Sequence, residues 1–171
     1  AMADGESSTG LVAHEIAHQW FGNTVTEADW PHLWLSEGFA TYLEQLYLEY
    51  AEGASAMRES MSTARNQALT FQRQNPDEPL VDTTFTDPVE LLTTNPYRKG
   101  AWVLHMLRFE IGDEALWSTF QTYYERHRPG NATTADFQSA AEDVSGKDLD
   151  GFFDQWTRRA GYPILDVTWE Y

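Results

Sequence analysis

Cysteine is absent from the 171 residues. That excludes disulfides and thiolate ligands, so any metal must be held by histidine and carboxylate. It also leaves the cellular compartment open. Cations are scarce: 11 Lys and Arg stand against 27 Asp and Glu, a net charge of −16. Such a surface repels a phosphate backbone and argues against nucleic acid as a partner. No run approaches the ~20 apolar residues that a membrane helix needs. The opening AMADGESSTG has neither the basic start nor the apolar stretch of a secretory signal. Positions 1–10 are expected to be a flexible lead-in or an expression-derived segment. Aromatic residues, by contrast, are plentiful, at 14% with seven Trp, and 42% of the chain is hydrophobic. That is enough for a sizeable core, in one domain or part of a larger one.

Most of the chain carries helical periodicity. Ser7, Ser8 and Thr9 offer N-cap oxygens before LVAHEIAHQWF, and Gly22-Asn23 supplies a stop. Leu11, Val12, Ile16, Ala17, Trp20 and Phe21 predict a mostly buried first helix. A second helix starts near Ser36 and runs to Gly53; a third, more polar, covers about 54–71. Pro76, Pro79 and Pro88 mark a loop. Helix resumes near Tyr97 and breaks at Gly112-Asp113, where Asp113 can cap the next helix, ending near His127. RPGNATT reads as a loop, and Thr133 with Asp136 as a weak capping box. Two more helices fit about 135–144 and 149–159, and ILDVTWEY alternates as a strand does.

The chemistry concentrates in His14-Glu15-Ile16-Ala17-His18, which is H-E-x-x-H. Residues four apart share a helix face, so both imidazoles can reach one ion. Zinc suits such a set and tolerates an open fourth position. Glu15 is placed to reach a water at the metal without being a ligand. A third ligand should be a carboxylate or histidine on a neighbouring helix. Glu37 fits, because it sits in the apolar segment WLSEGFATY, where an unpaired carboxylate is costly. The alternative is a solvated helix N-terminus, where the helix dipole favours Glu. Thr41, one turn on, either orients a metal ligand or bonds its own backbone. Arg98 and Lys99 either steer a substrate carboxylate or are simply solvated. His32, His105 and His127 lack ligand spacing to the motif.

H-E-x-x-H followed after eighteen residues by Glu, in the form HEIAHQWFGNTVTEADWPHLWLSEGFATYLE, strongly resembles the M1 family of zinc aminopeptidases, within the gluzincins. NPYRKGAWVLHML and FFDQWTRRAGYPILDVTW also match, so the resemblance runs from Leu11 onward. It implies one zinc per chain on His14, His18 and Glu37, with Glu15 as general base. It also implies that Tyr97, in Tyr-x-Lys-Gly, is the catalytic tyrosine; without the resemblance Tyr97 would be read as a packed aromatic. The implied fold is mainly α, a bundle like the helical half of a thermolysin-like domain. That subdomain covers 11–163, and 164–171 is the strand leading into a β-rich domain. The implied activity is removal of N-terminal residues from peptides. A gluzincin endopeptidase, an M1-like epoxide hydrolase and a non-catalytic binding domain are the alternatives. There are two departures. Ser36 stands where the family usually has Asn, altering a hydrogen bond behind the ligands. The family's Gly-x-Met-Glu-Asn segment, whose Glu binds the substrate amine, is absent. The chain is therefore expected to be the C-terminal part of a catalytic domain, completed by an upstream half and weakly active or inactive by itself.

Overall fold

In the computed structural model, residues 3–170 are described, with side chains from Thr9 onward. The described residues fold as seven α-helices with few strands: α1 (Ala3–Ala17), α2 (Trp34–Glu52), α3 (Ala54–Gln74), α4 (Gly100–Ile111), α5 (Asp113–His127), α6 (Thr134–Ser145) and α7 (Asp150–Phe153). The mainly helical expectation holds. None of the described helices is long and apolar enough to cross a membrane.

The central element is α2, packed against α1, α3 and α4. Its Trp34, Leu35, Phe39 and Tyr42 recur at helical spacing and are fully or almost fully buried. Phe39 is the hub of an aromatic cluster. Its ring centroid lies 4.5 Å from Phe21, 5.0 Å from Phe137 and 5.2 Å from Phe120. Buried polar groups in this core are tied down. Thr134 Oγ1 accepts from Trp34 Nε1 at 2.9 Å and also meets His32 Nδ1 at 2.9 Å, joining the starts of α2 and α6. Trp102 Nε1 donates to the Met61 carbonyl at 2.8 Å, joining α4 to α3. His105 is a half-buried boundary residue whose Nδ1 lies 3.2 Å from the Tyr42 hydroxyl.

Tyr97 precedes α4 in a π-helical turn, Asn95–Lys99. Backbone contact fixes that turn against α2. A Cβ on Gly38 would fall 2.9 Å from the Gly100 Cα and 3.0 Å from the Pro96 carbonyl oxygen. Only glycine allows so close an approach. Glu37 and Tyr97 each lie one residue from this contact.

Several local expectations need correction. With no proline to stop it, α1 begins at Ala3, upstream of the expected start near Ser7–Thr9. Asp113 does not cap α5; it is the first residue of that helix, and Gly112, with φ 88°, takes the cap position. Its carboxylate instead binds Arg108 through Nε and Nη2, both at 2.8 Å. The loop RPGNATT contains a strand, β2 (Gly130–Ala132), which pairs in parallel with β1 (Val25–Glu27). The register runs Val25 to Gly130 and Glu27 to Ala132. The Thr133–Asp136 capping box forms: Thr133 N donates to Asp136 Oδ2 at 2.8 Å, and Asp136 N to Thr133 Oγ1 at 3.3 Å. The last expected helix divides into α7 and a π-helical turn, Asp154–Arg158. Residues 164–170 form no strand, because none of the described strands lies alongside to pair with them. Leu165, Val167 and Trp169 are consequently exposed.

Candidate metal centre

His14 and His18 project from adjacent turns of α1 and the bend that follows it, and Glu37 from the first turn of α2. Their side chains converge. His14 Nε2 and His18 Nε2 are 3.1 Å apart, and Glu37 Oε2 lies 3.4 and 3.3 Å from them. One ligand atom from each residue falls within 4.8 Å of the others. Two imidazole nitrogens and a carboxylate oxygen facing one point are donors of the type and number that suit zinc. The chain's own residues therefore fit the ion.

The supports are local. His18 Nδ1 is 3.1 Å from the Phe21 carbonyl, which fixes its ring and directs Nε2 toward Glu37. Gly22, at φ 127°, leaves that ring room, since a Cβ there would lie 2.8 Å from His18 Nδ1. His14 Nδ1 faces Glu44 Oε2 at 3.7 Å. Glu44 escaped the sequence reading. The available signal was its place seven residues after Glu37, two turns along the same face of α2.

The charges are coupled. Burial opposes a charge on His14, but Glu37 and Glu44 outweigh it and raise its pKa to about 9. His18 is also raised, chiefly by its hydrogen bond to Glu37. Burial would push Glu37 upward, yet hydrogen bonds from His14, His18 and Tyr97 hold it down at about 2. Burial and the charge of Glu37 push the Tyr97 hydroxyl up to about 12, so it stays a proton donor at neutral pH. The Tyr97 ring stacks over His14, with centroids 6.3 Å apart and planes 14° apart.

These residues line a hollow of about 490 Å³ together with Leu11, Glu15, Thr41 and Arg98. Glu15 is exposed and makes no hydrogen bond or ion pair among the described residues. Thr41 is buried against the hollow but forms neither of the hydrogen bonds considered for it. Ser36 donates to the Glu27 carboxylate on β1, which ties the start of α2 to the strand pair. Arg98 and Lys99 part company: Arg98 faces the hollow, while Lys99 is buried with Nζ 2.9 Å from Gln72 Oε1.

The expectation of a mostly buried α1 is half right. Ala17 and Phe21 are buried, but Leu11, Val12, Ile16 and Trp20 are about half exposed or more. Val12, Ile16 and Trp20 line an apolar groove of about 580 Å³ with Leu43, Tyr47 and Trp117.

The chain is similar to known proteins in both sequence and fold. The model of the peptidase family M1 domain matches residues 1–156. Aminopeptidase M1-A of Oryza sativa is 36% identical over 173 residues, covering 98% of this chain and 19% of its own length. The chain thus spans about a fifth of the length of the curated relatives it matches. An M1 zinc metallopeptidase from Deinococcus radiodurans, solved as an E323A mutant with Tyr-Ser-Ala substrate, superposes with TM-score 0.75 at 29% identity, covering 91% of this chain and 34% of that one. Leukotriene A4 hydrolase from Saccharomyces cerevisiae superposes with TM-score 0.82 at 25% identity, covering 97% and 28%. By sequence and by fold, the chain belongs to peptidase family M1.

Proposed function

We propose that this chain carries the metal centre and reacting groups of a zinc aminopeptidase that removes N-terminal residues from short peptides in the parent protein. The observation that carries the reading is the convergence of His14, His18 and Glu37 from two helices on one point. These three residues would hold the zinc. When bound, the ion would supply a Lewis acid and would bring the pKa of water to about 7. Glu15 accepts the proton of the attacking water and returns it to the leaving amine. Its exposure and lack of a competing partner leave it free to do so. Tyr97 donates a hydrogen bond to the oxygen that gains charge as the peptide carbonyl is attacked. A hydroxyl that keeps its proton at neutral pH suits that task. Short peptides are the substrate class because a related enzyme was solved with the tripeptide Tyr-Ser-Ala.

Glu15→Gln in the parent protein tests this. The variant should keep its zinc and lose about 10²–10⁴ in turnover, since Gln is nearly isosteric but cannot take a proton. Retention of more than about a tenth of the wild-type rate would remove Glu15 from the role. The likeness to a leukotriene A4 hydrolase supports a second reading, epoxide hydrolysis at the same centre. Epoxide turnover without peptide turnover would select it.

A further inference from the structure

The chain has only eleven Lys and Arg, and all but one have a hydrogen-bond or ion-pair partner. The exception among the described residues is Arg98, which has none. Arg98 is nevertheless half-buried. It also stands in a protein with an excess of carboxylates available to pair with it.

Its position gives the vacancy a use. Arg98 and Tyr97 line the metal hollow, and the same two residues line an adjoining hollow of about 500 Å³ with Gln67, Leu92, Thr93 and Thr94. They therefore form the wall shared by the two. On the metal side stand three carboxylates, Glu15, Glu37 and Glu44; on the shared wall stands one guanidinium. A peptide is itself dipolar. Its ammonium end is drawn toward the carboxylates, and any carboxylate it carries is drawn to the opposite pole. The guanidinium fork matches a carboxylate in shape and donor spacing, and its hydrogen bonds to an anion are about twice as strong as neutral ones.

We propose that Arg98 binds a carboxylate on the leaving side of the scissile bond, and so sets a preference for short or acidic peptides; the proposal rests on the aminopeptidase reading above. Two sources share this chemistry: the C-terminal carboxylate of a dipeptide or tripeptide, and an acidic side chain just after the cleaved residue. Lys99, next in sequence, cannot substitute, because its ammonium is buried against Gln72.

The test compares two substrate pairs on the parent protein: Leu-Gly-Gly against Leu-Gly-Gly-amide, and Leu-Asp-amide against Leu-Asn-amide. At least one charged member should be favoured about tenfold or more in kcat/KM, the size expected of a hydrogen bond to a charged group. Which pair responds identifies the source. Arg98→Gln should bring the responding ratio close to one, chiefly through KM, and Arg98→Lys should restore part of it. A merely structural role would slow both members of a pair alike and leave the ratio unmoved. The same ratios, read as affinities by calorimetry on the Glu15→Gln variant, report on Arg98 without turnover. If the wild type cleaves none of the four peptides, the aminopeptidase reading falls while the affinities still judge Arg98. Ratios that are the same in wild type and Arg98→Gln, for both pairs, overturn the proposal.

Discussion

The two faces of α1 are built to different standards. Toward α2, His14 and His18 are half-buried, with each ring nitrogen near a carboxylate, a carbonyl or the other imidazole. On another side, Val12, Ile16 and Trp20 line an apolar groove with Leu43 and Tyr47 of α2 and remain about half exposed. By hydrophobicity alone the order would be reversed. The difference teaches that a polar side chain is enclosed where partners converge on it, and an apolar one stays open where none does.

Removing a partner from the crowded face should have the largest effect. In His18→Ala the donor set drops to two. Zinc affinity, measured by chelator competition, should fall by more than the roughly 10–100-fold that loss of an outer partner brings. An unchanged affinity would show that the convergence does not hold the ion. Next in size is Tyr97→Phe, which removes one hydroxyl from the same face. In the parent protein kcat should drop about 10²–10³ with KM little changed, because the bond strengthens only as charge develops. A raised KM at constant kcat would place the hydroxyl in ground-state binding instead.

Lys99 sharpens the contrast, because it is an enclosed cation that lacks the counter-charges His14 enjoys. Burial lowers its pKa from 10.5 to about 8, despite some help from Glu78. The unfolded chain therefore holds more protons between pH 8 and 10.5, and this group makes stability rise with pH across that window. Below pH 8 its burial cost is fully present. Lys99→Met should be more stable than wild type at pH 7 by on the order of 1–3 kcal/mol. The gap should narrow by pH 10 in denaturant melts. Gln72 Oε1 keeps a partner in the variant, the Gly161 N–H at 2.9 Å. The smallest effect belongs to the open face. Ile16→Ala should change this chain's stability by about 0.5 kcal/mol or less; a loss of 2 kcal/mol or more would mean that the groove is closed in solution.

The three converging side chains could be read from sequence because their signal is local. His14 and His18 are one helical turn apart, and Glu37 is a carboxylate stranded in an apolar run. The helices α2 to α6 were legible for the same reason, since each carries several turns of periodicity. What was missed depends on distant partners. The strand pair has three residues on each side, separated by about a hundred positions, too short for any alternation to register. Residues 164–170 alternate as a strand should, but pattern without a neighbour makes no sheet. Exposure of Ile16 and Trp20 depends on what stands opposite, which no residue of α1 encodes. Glu44 needed the fold to bring it to the hollow, and the fold separated Arg98, which faces that hollow, from its buried neighbour Lys99.

The contact between Gly38 and Gly100 bears on how this site tolerates change. Most distances in a protein pass through side chains, and each rotamer on the way is a place where a mutation can be absorbed or amplified. Between Glu37 and Tyr97 the route is main chain against main chain, with no side chain interposed. Their spacing is therefore insulated from drift in the surrounding core: substitutions among the aromatics around Phe39 can alter stability while leaving the two groups in register. The same insulation makes the contact brittle, because a methyl on Gly38 would press into the Gly100 main chain, with no flexible side chain there to give way.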